Sequence, residues 1–519
     1  MQYSCVNNTL LKQRMPRLGI GAMLMALLIT GQAYGEKARG PLRVHPHNPR
    51  YFADGTGKAI YLTGSHMGWE LQDDAWGREH VFDYPAFLAF LVEHNHNLIR
   101  MWVVEHTRWD ISNPKAVAFP MPWRRTGPGK ALDGHPKFDL KRFDPGYFDR
   151  LRSRIIAAGE QGIYVVVMLF QGFSVHKRPG RNPWFGHPFN ECNNINGIDG
   201  DVNGDGDGRE VHTLANRKVT DLQEGYVRKV IDTINDLDNV LYEVANEAGN
   251  YSTEWQYDMI RLIKKYEATK PKQHPVGMTV QIPGGHNNNE VLLNSPADWV
   301  SPNAESGYRD NPPAADGRKV ILSDTDHLWG VGGNSREWVW KSFCRGLNPI
   351  YMDSYTDQET KQLDKIVNRE FDPRWESIRL AMGYARKLAS TINLRAMVPR
   401  NELASTGYCL ADVGKEYLIY LPEGGSVTVD LRDVVGPVSV QWFNAKSGKS
   451  KTAEGTRGGA KRTLASPFRS SDAVLHLKAL LGSYPRAARD PGLWLLTVSR
   501  PSPGSSACRC PCSRHLSSR

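Results

Sequence analysis

Cysteine is scarce where it could matter. The 519-residue chain has seven, but Cys5 lies in the N-terminal segment and Cys508, Cys510 and Cys512 in the C-terminal one. Cys192, Cys344 and Cys409 remain for the body, which is no disulfide framework, so stability must come from a packed core. Long apolar runs are missing too. LGIGAMLMALLIT spans about 13 residues, short for a bilayer. Lys12, Arg14 and Arg17 precede it and small residues follow at Ala33 and Gly35. That is the plan of a secretory signal peptide cleaved after Gly35, with no membrane segment beyond it and a secreted or periplasmic product. Basic charge is concentrated away from the body. Of the formal +10, residues 1–35 supply three and the stretch from Tyr484 supplies five, leaving +2. No dense basic patch with interleaved aromatics occurs in linear sequence, which argues against nucleic acid.

The body divides by periodicity. From about residue 58 to 395, apolar strand-like runs alternate with amphipathic helical stretches. The runs are AIYLTG (59–64), NLIRMWVV (97–104), IYVVVMLF (163–170), NVLYEVA (239–245), PVGMTVQI (275–282), DWVSP (298–302), KVILS (319–323) and NPIYMD (348–353). IYVVVMLF does not alternate, as expected of a parallel strand covered on both faces. Eight strands with intervening helices predict a (β/α)8 barrel over 36–395. Beyond it, EYLIYLP, SVTVDL, VSVQWFNA and AVLHLK, separated by Gly, Pro and Asp turns, predict an antiparallel β-sandwich over 396–483 that either binds a ligand or braces the barrel, with bracing slightly preferred because no exposed aromatic platform is obvious. Residues 484–519 read as a disordered tail of Pro, Ser, Arg and Cys.

On such a barrel, Asn246 and Glu247 end the fourth strand, and the seventh runs into Asp324, Asp326 and His327. Strand C-terminal ends are where parallel barrels keep their chemistry. Two carboxylates over one mouth suit glycoside hydrolysis, one giving a proton to the leaving oxygen and the other attacking or stabilising the anomeric carbon. Asn246 both donates and accepts, as a sugar hydroxyl requires. Each acid could equally cap a loop or pair with a cation. His66 and Trp69 follow the first strand, Glu105 and His106 the second, and Trp329 the seventh. Tryptophan faces stack on sugar rings, with Trp329 the foremost candidate; Trp338 and Trp340 read as helix packing residues.

Asn-Glu ending a fourth strand, with an acid ending the seventh, resembles clan A of the glycoside hydrolases. PLRVHPHNPRYFADGTGKAIYLTGSH (41–66), with EYLIYLPEGGSVTVDL and VQWFNAKSGK, is similar to the apiosidase-like secreted bacterial family, whose members often carry a C-terminal sandwich of the collagen-binding type. The likeness covers roughly residues 41 to 481. It implies a retaining glycosidase acting on a poly- or oligosaccharide without a catalytic cofactor. Glu247 would be the acid/base, Asn246 its partner, and Arg100 the arginine that orients the nucleophile. The clan's nucleophile is a glutamate, whereas the position nearest the strand end is here Asp324, with Asp326 and Glu305 as alternatives. An aspartate arm widens the gap between carboxylates, so retention, at about 5–5.5 Å, and inversion, at roughly 6.5–9.5 Å, both stay open. The rival is a catalytically inactive carbohydrate-binding barrel.

DGDVNGDGDGRE (199–210) fits a calcium-loop pattern, with Asp199, Asp201, Asn203, Asp205 and Glu210 as ligands of a structural Ca2+. His94-Asn95-His96 has H-x-H spacing but precedes the second strand, on the barrel's bottom face, which sets a metal-dependent hydrolase aside.

Overall fold

The computed structural model describes residues 36–480 apart from 78, 110–112, 178–179, 283–288, 334, 354–372 and 470. The expected signal peptide and tail lie outside the described residues. Eight parallel strands close into a barrel: β1 Gly64–His66, β2 Leu98–Met101, β3 Tyr164–Gln171, β4 Val240–Asn246, β5 Val276–Thr279, β6 Trp299–Ser301, β7 Val320–Asp324 and β8 Asn348–Met352, with β8 pairing back onto β1. Each overlaps a predicted run, except that 59–64 divides. Ala59–Ile60 joins Phe52–Ala53 and Arg43–Val44 in a small antiparallel sheet, and the barrel strand begins at Gly64. A Cβ on Gly64 would sit 1.8 Å from the Leu98 carbonyl oxygen, so only glycine lets β1 close on β2 here.

Among the described residues eight α-helices lie between and after the strands, α1 Tyr84–Glu93, α2 Pro145–Glu160, α3 Arg217–Ile234, α4 Thr253–Glu267, α5 Asn289–Leu293, α6 Thr325–Leu328, α7 Arg336–Cys344 and α8 Pro373–Ala389. Asp83 and Asp144 cap α1 and α2, each accepting a backbone N–H, with proline in the first turn. Among the described residues no helix is long and apolar enough to cross a membrane.

The barrel interior is layered. Leu98, Val166, Leu241, Leu322 and Ile350 form an apolar lower layer, in one cluster with Phe52 of the small sheet and with Leu42, which precedes that sheet's first strand. Burying each such side chain contributes roughly 1.5–3 kcal/mol. Side chains on one strand face recur every second residue, so Arg100, Glu243 and Asp324 stand one step above Leu98, Leu241 and Leu322. The upper layer is therefore charged, and the mouth lies directly over it.

Loops on the mouth side are long. Between β2 and α2 an unpredicted hairpin pairs Trp123–Lys130 with Pro136–Phe143. The C-terminal unit holds β9 Val398–Pro399, β10 Cys409–Asp412, β11 Glu416–Leu421, β12 Ser426–Asp430, β13 Pro437–Asn444, β14 Ser450–Arg457, β15 Lys461–Ala465 and β16 Ala473–Ala479. Six of them form a sheet in the order β9-β10-β11-β16-β13-β14, and β12 pairs with β15. Trp340 of α7 stacks on Tyr420 and tilts against Phe443, while Arg336 pairs with Asp472 at 3.0 Å. These rings share one continuous core with the barrel, which supports the bracing role.

Candidate active site

Arg100 is the hub. It is 1% exposed, and its guanidinium forks onto Glu243 at 2.6 and 2.7 Å. It also donates to Asn246 Oδ1 at 2.5 Å and to Asp324 Oδ2 at 3.2 Å, and reaches Asp326 Oδ2 at 3.4 Å. A buried guanidinium survives only where carboxylates surround it, and these push its pKa further up despite burial.

Asp324 is fully buried and fully used. Its Oδ1 accepts from His66 Nε2 at 3.0 Å and from the Asp326 backbone N–H at 2.9 Å; its Oδ2 faces His66 at 2.9 Å and Arg100. Burial would raise its pKa, but His66, Arg100 and His327 outweigh that and hold it well below the ordinary range. The Trp102 indole N–H can only donate, and it donates to His66 Nδ1 at 2.8 Å. That fixes the proton of a neutral imidazole on Nε2, pointing at Asp324. Burial lowers the His66 pKa, and the Asp324 charge more than restores it.

Asp326 lies two residues further, above the layer, with its side chain 11% exposed. Burial, then the charge of Asp324, pushes its carboxyl up to about 6 against the pull of Arg100. One oxygen each of Glu247 and Asp326 and one nitrogen of His327 lie within 4.8 Å of one another. Such a trio could share a metal ion, and it could equally act as an acid–base set. His327 Nδ1 meets Ser301 Oγ at 2.7 Å and Nε2 meets Asn246 Oδ1 at 3.3 Å. Burial, then Arg100, drives the His327 pKa well down.

Glu247 takes φ +46, a left-handed conformation unusual for a glutamate. Strain of this kind, of order 1–3 kcal/mol, collects at functional sites. Gly172, at the end of β3, makes the bend possible, since a Cβ there would come within 2.3 Å of the Glu247 carbonyl oxygen. Asn246 is fully buried. Its Oδ1 serves Arg100 and its Nδ2 donates to Gln171 Oε1 at 3.0 Å.

Other predicted site residues lie further out. Glu105 is buried, accepting from the Gln171 N–H at 2.8 Å and His212 Nε2 at 2.9 Å. Burial alone would raise its pKa, but His212 and His187 bring it down to about 2. It steadies the end of β3 beneath the mouth. His106 is held by Ser174 and the Ala75 carbonyl. Trp69 is 2% exposed and packs edge-on to His80, so its faces are covered. Trp329 is half-buried against Trp338. Glu305 is exposed on a short turn, Glu305–Gly307, apart from the converging acids.

Glu243, Trp102 and Gln171 escaped sequence reasoning. A carboxylate inside the apolar run of β4 was a signal for Glu243, because a buried charge needs a partner. Half-buried Trp76 and Trp109, in contact edge-to-face, also line the loops after β1 and β2.

Residues 96–282 match a family described as "Domain of unknown function (DUF6298)". Residues 395–478 match one described as "Putative collagen-binding domain of a collagenase". No curated protein matches the chain. Among solved structures, one titled "Glycoside hydrolase" aligns at TM-score 0.55 and 12% identity, over 85% of this chain and 97% of that one. A glycoside hydrolase family 5 protein from Bacteroides vulgatus aligns at TM-score 0.57 and 14% identity, over 86% and 95%. At that identity the likeness concerns the fold, a (β/α)8 barrel with an appended β-domain.

Proposed function

We propose that the chain is an exported glycoside hydrolase acting on a poly- or oligosaccharide. The observation that supports this most is the pairing of Glu247 and Asp326 over the charged upper layer, with oxygens within 4.8 Å. The glycosidase folds it resembles agree. Glu247 is the acid/base, protonating the leaving oxygen and then activating water. Asp326 is the nucleophile, and so close an approach of the two groups favours retention, whose carboxyls stand nearer to each other than those of inverting enzymes. Asp324, the strand-end residue first expected in that role, becomes a positioning residue. Its two oxygens accept from three donors, His66, the Asp326 backbone N–H and Arg100, and it has no exposed edge. Its fixed negative charge keeps Arg100 and His66 aimed at the site. Trp76, Trp109 and Trp329 offer half-open ring faces for sugar.

The test is product release from a panel of plant and bacterial polysaccharides, with and without EDTA, beside Glu247→Ala. Release lost in the variant and indifferent to EDTA supports the reading. Release abolished by EDTA moves the account to a metal held by Glu247, Asp326 and His327. Binding of a glycan by wild type and variant alike, with no product, would select the inactive carbohydrate-binding barrel.

We also propose a structural Ca2+ in the 199–210 loop, with Asp201 rather than Asp199 as the first ligand; the turn then starts two residues later than the spacing first suggested, and Glu210 closes the loop two positions earlier than the usual twelfth. Asp201 accepts from the N–H groups of Gly204, Asp205 and Gly206, and Gly206 takes φ +81. That is the turn a calcium loop makes between its first ligand and its sixth-position glycine. Glu210 Oε2 is buried without a donor, and burial with Asp205, Asp201 and Asp207 raises its pKa. Asp201, Asn203, Asp205 and Glu210 would hold the ion, which would pin the excursion between β3 and α3. Calcium should raise the melting temperature, and Asp201→Ala with Glu210→Ala should abolish the rise; a wild type indifferent to calcium removes the ion.

A further inference from the structure

The C-terminal sandwich carries its charge unevenly. Lys446, Lys449, Lys451, Arg457, Lys461 and Arg462 fall within residues 446–462, where Glu454 is the single acid. Elsewhere in the sandwich acids outnumber bases and most are paired: Arg400 with Glu402, Arg432 with Asp430, Lys478 and His476 with Glu416. None of the six cations makes an ion pair among the described residues. Five are exposed. The sixth, Arg462, donates to the Arg457 and Gly458 carbonyls and is half-buried.

Topology gathers them. β14 is the outer strand of the six-stranded sheet, and β15 belongs to the two-stranded one. The chain steps between them through Gly458-Gly459, with Gly459 at φ +82, so both strands lie on one flank of the sandwich. Lys451 lies on β14 and Lys449 immediately precedes the strand. Lysine on an outer strand commonly serves to block edge-to-edge pairing. One or two suffice for that, and the charge here extends through the turn onto the second sheet. Asp430 stands opposite Lys461 across the β12–β15 pair and Glu454 lies on β14, but the cations outnumber these acids, and such an excess of one sign on an exposed flank draws polyanions.

We propose that this flank is a binding surface for an acidic polysaccharide, a polyuronate or a sulfated glycan, holding the enzyme on its polymer while the barrel cleaves. The glycan part rests on the glycosidase reading. Residues 446–462 contain no aromatic ring, so the flank has no platform for stacking nucleobases. Recognition is by charge along a chain, not by sugar faces.

Affinity electrophoresis of the full chain carrying Glu247→Gln tests this separately from hydrolysis. Gels would contain polygalacturonate, heparin, neutral galactan or single-stranded DNA. The expected result is retardation by polygalacturonate or heparin, none by galactan, and at least tenfold weaker retardation for Lys449→Glu/Lys451→Glu/Lys461→Glu with unchanged circular dichroism. For three engaged cations, affinity should fall on the order of twentyfold between about 50 and 200 mM salt, at roughly 0.7 counterion per contact on a flexible strand. Equal retardation by galactan, or by the charge-reversed variant, overturns the proposal. So does DNA binding as tight as glycan binding, which would mark a generic polyanion surface. Absence of retardation by any polyanion at low salt overturns it too, whether or not the barrel hydrolyses glycans.

Discussion

Asp326 is where this site gives up stability for chemistry, and Asp326→Asn measures how much. Its carboxyl is pushed up to about 6, first by burial and then by Asp324, although Arg100 draws it down. In the unfolded chain an aspartate titrates near about 3.9. A raised folded-state pKa means that the folded protein holds the proton more tightly. The resulting stability is fully present below the unfolded pKa and lost as pH rises through about 6. Roughly two units at 1.36 kcal/mol each give a cost on the order of 3 kcal/mol for keeping this group ionised in the folded state. Asparagine keeps the shape without the charge, and forfeits a long contact to Arg100 worth about 1 kcal/mol. At about pH 8 the variant should therefore be more stable than wild type by about 1–2 kcal/mol, and at about pH 4.5 it should show no gain. Urea unfolding followed by tryptophan fluorescence at both pH values reads this directly from the midpoints, provided the slopes agree. A variant no more stable than wild type at the higher pH would refute the reasoning. It would mean that Arg100 fully neutralises Asp326 and that no free charge waits at the mouth.

Three further outcomes follow from the same geometry. Glu247→Gln should lower kcat by about 10²–10⁴ on substrates with poor leaving groups, the range of general acid catalysis, and much less on activated aryl glycosides, as compared by steady-state kinetics on the two classes. Glu105→Gln should cost on the order of 3 kcal/mol near neutrality, because the carboxyl is held down at about 2 by His212 and His187; that stability exists above its unfolded pKa and disappears as pH falls through about 2, so denaturation at low pH should erase the difference. Gly172→Ala should place a methyl 2.3 Å from the Glu247 carbonyl oxygen, displacing the acid/base and lowering kcat by about 10² for a shift near 1 Å. A variant with wild-type kcat would show that the bend at Glu247 is not needed.

The barrel was legible because its strands are apolar runs with no alternation, bounded by turns. The mouth was legible because Asn246-Glu247 and Asp324-Thr325-Asp326 end two of those runs. Our proposal of Asp326 over Asp324 needs the two-residue period to be carried to the end of β7. Leu322 points into the lumen, so Asp324 does as well, and Asp326 is the first acid above it. Glu243 follows from the same count on β4. What stayed hidden lacks an apolar signature. The hairpin Trp123–Lys130 with Pro136–Phe143 is rich in Gly, Pro and Lys, and β14 and β15 are polar and mostly exposed. Trp76 and Trp109 reach the mouth through loops, whose course no periodicity records.

The central claim is that Glu247 and Asp326 form the reacting pair while Asp324 only positions. Azide added to Glu247→Ala, Asp324→Ala and Asp326→Ala, with an activated aryl glycoside as substrate and the product anomer read by NMR, tests it most directly. Azide takes the place of whichever carboxylate is missing. The account predicts a glycosyl azide of inverted configuration from Asp326→Ala, one of retained configuration from Glu247→Ala, and no rescue of Asp324→Ala. Inverted azide from Asp324→Ala, with Asp326→Ala unresponsive, would contradict it and return the nucleophile to the strand end.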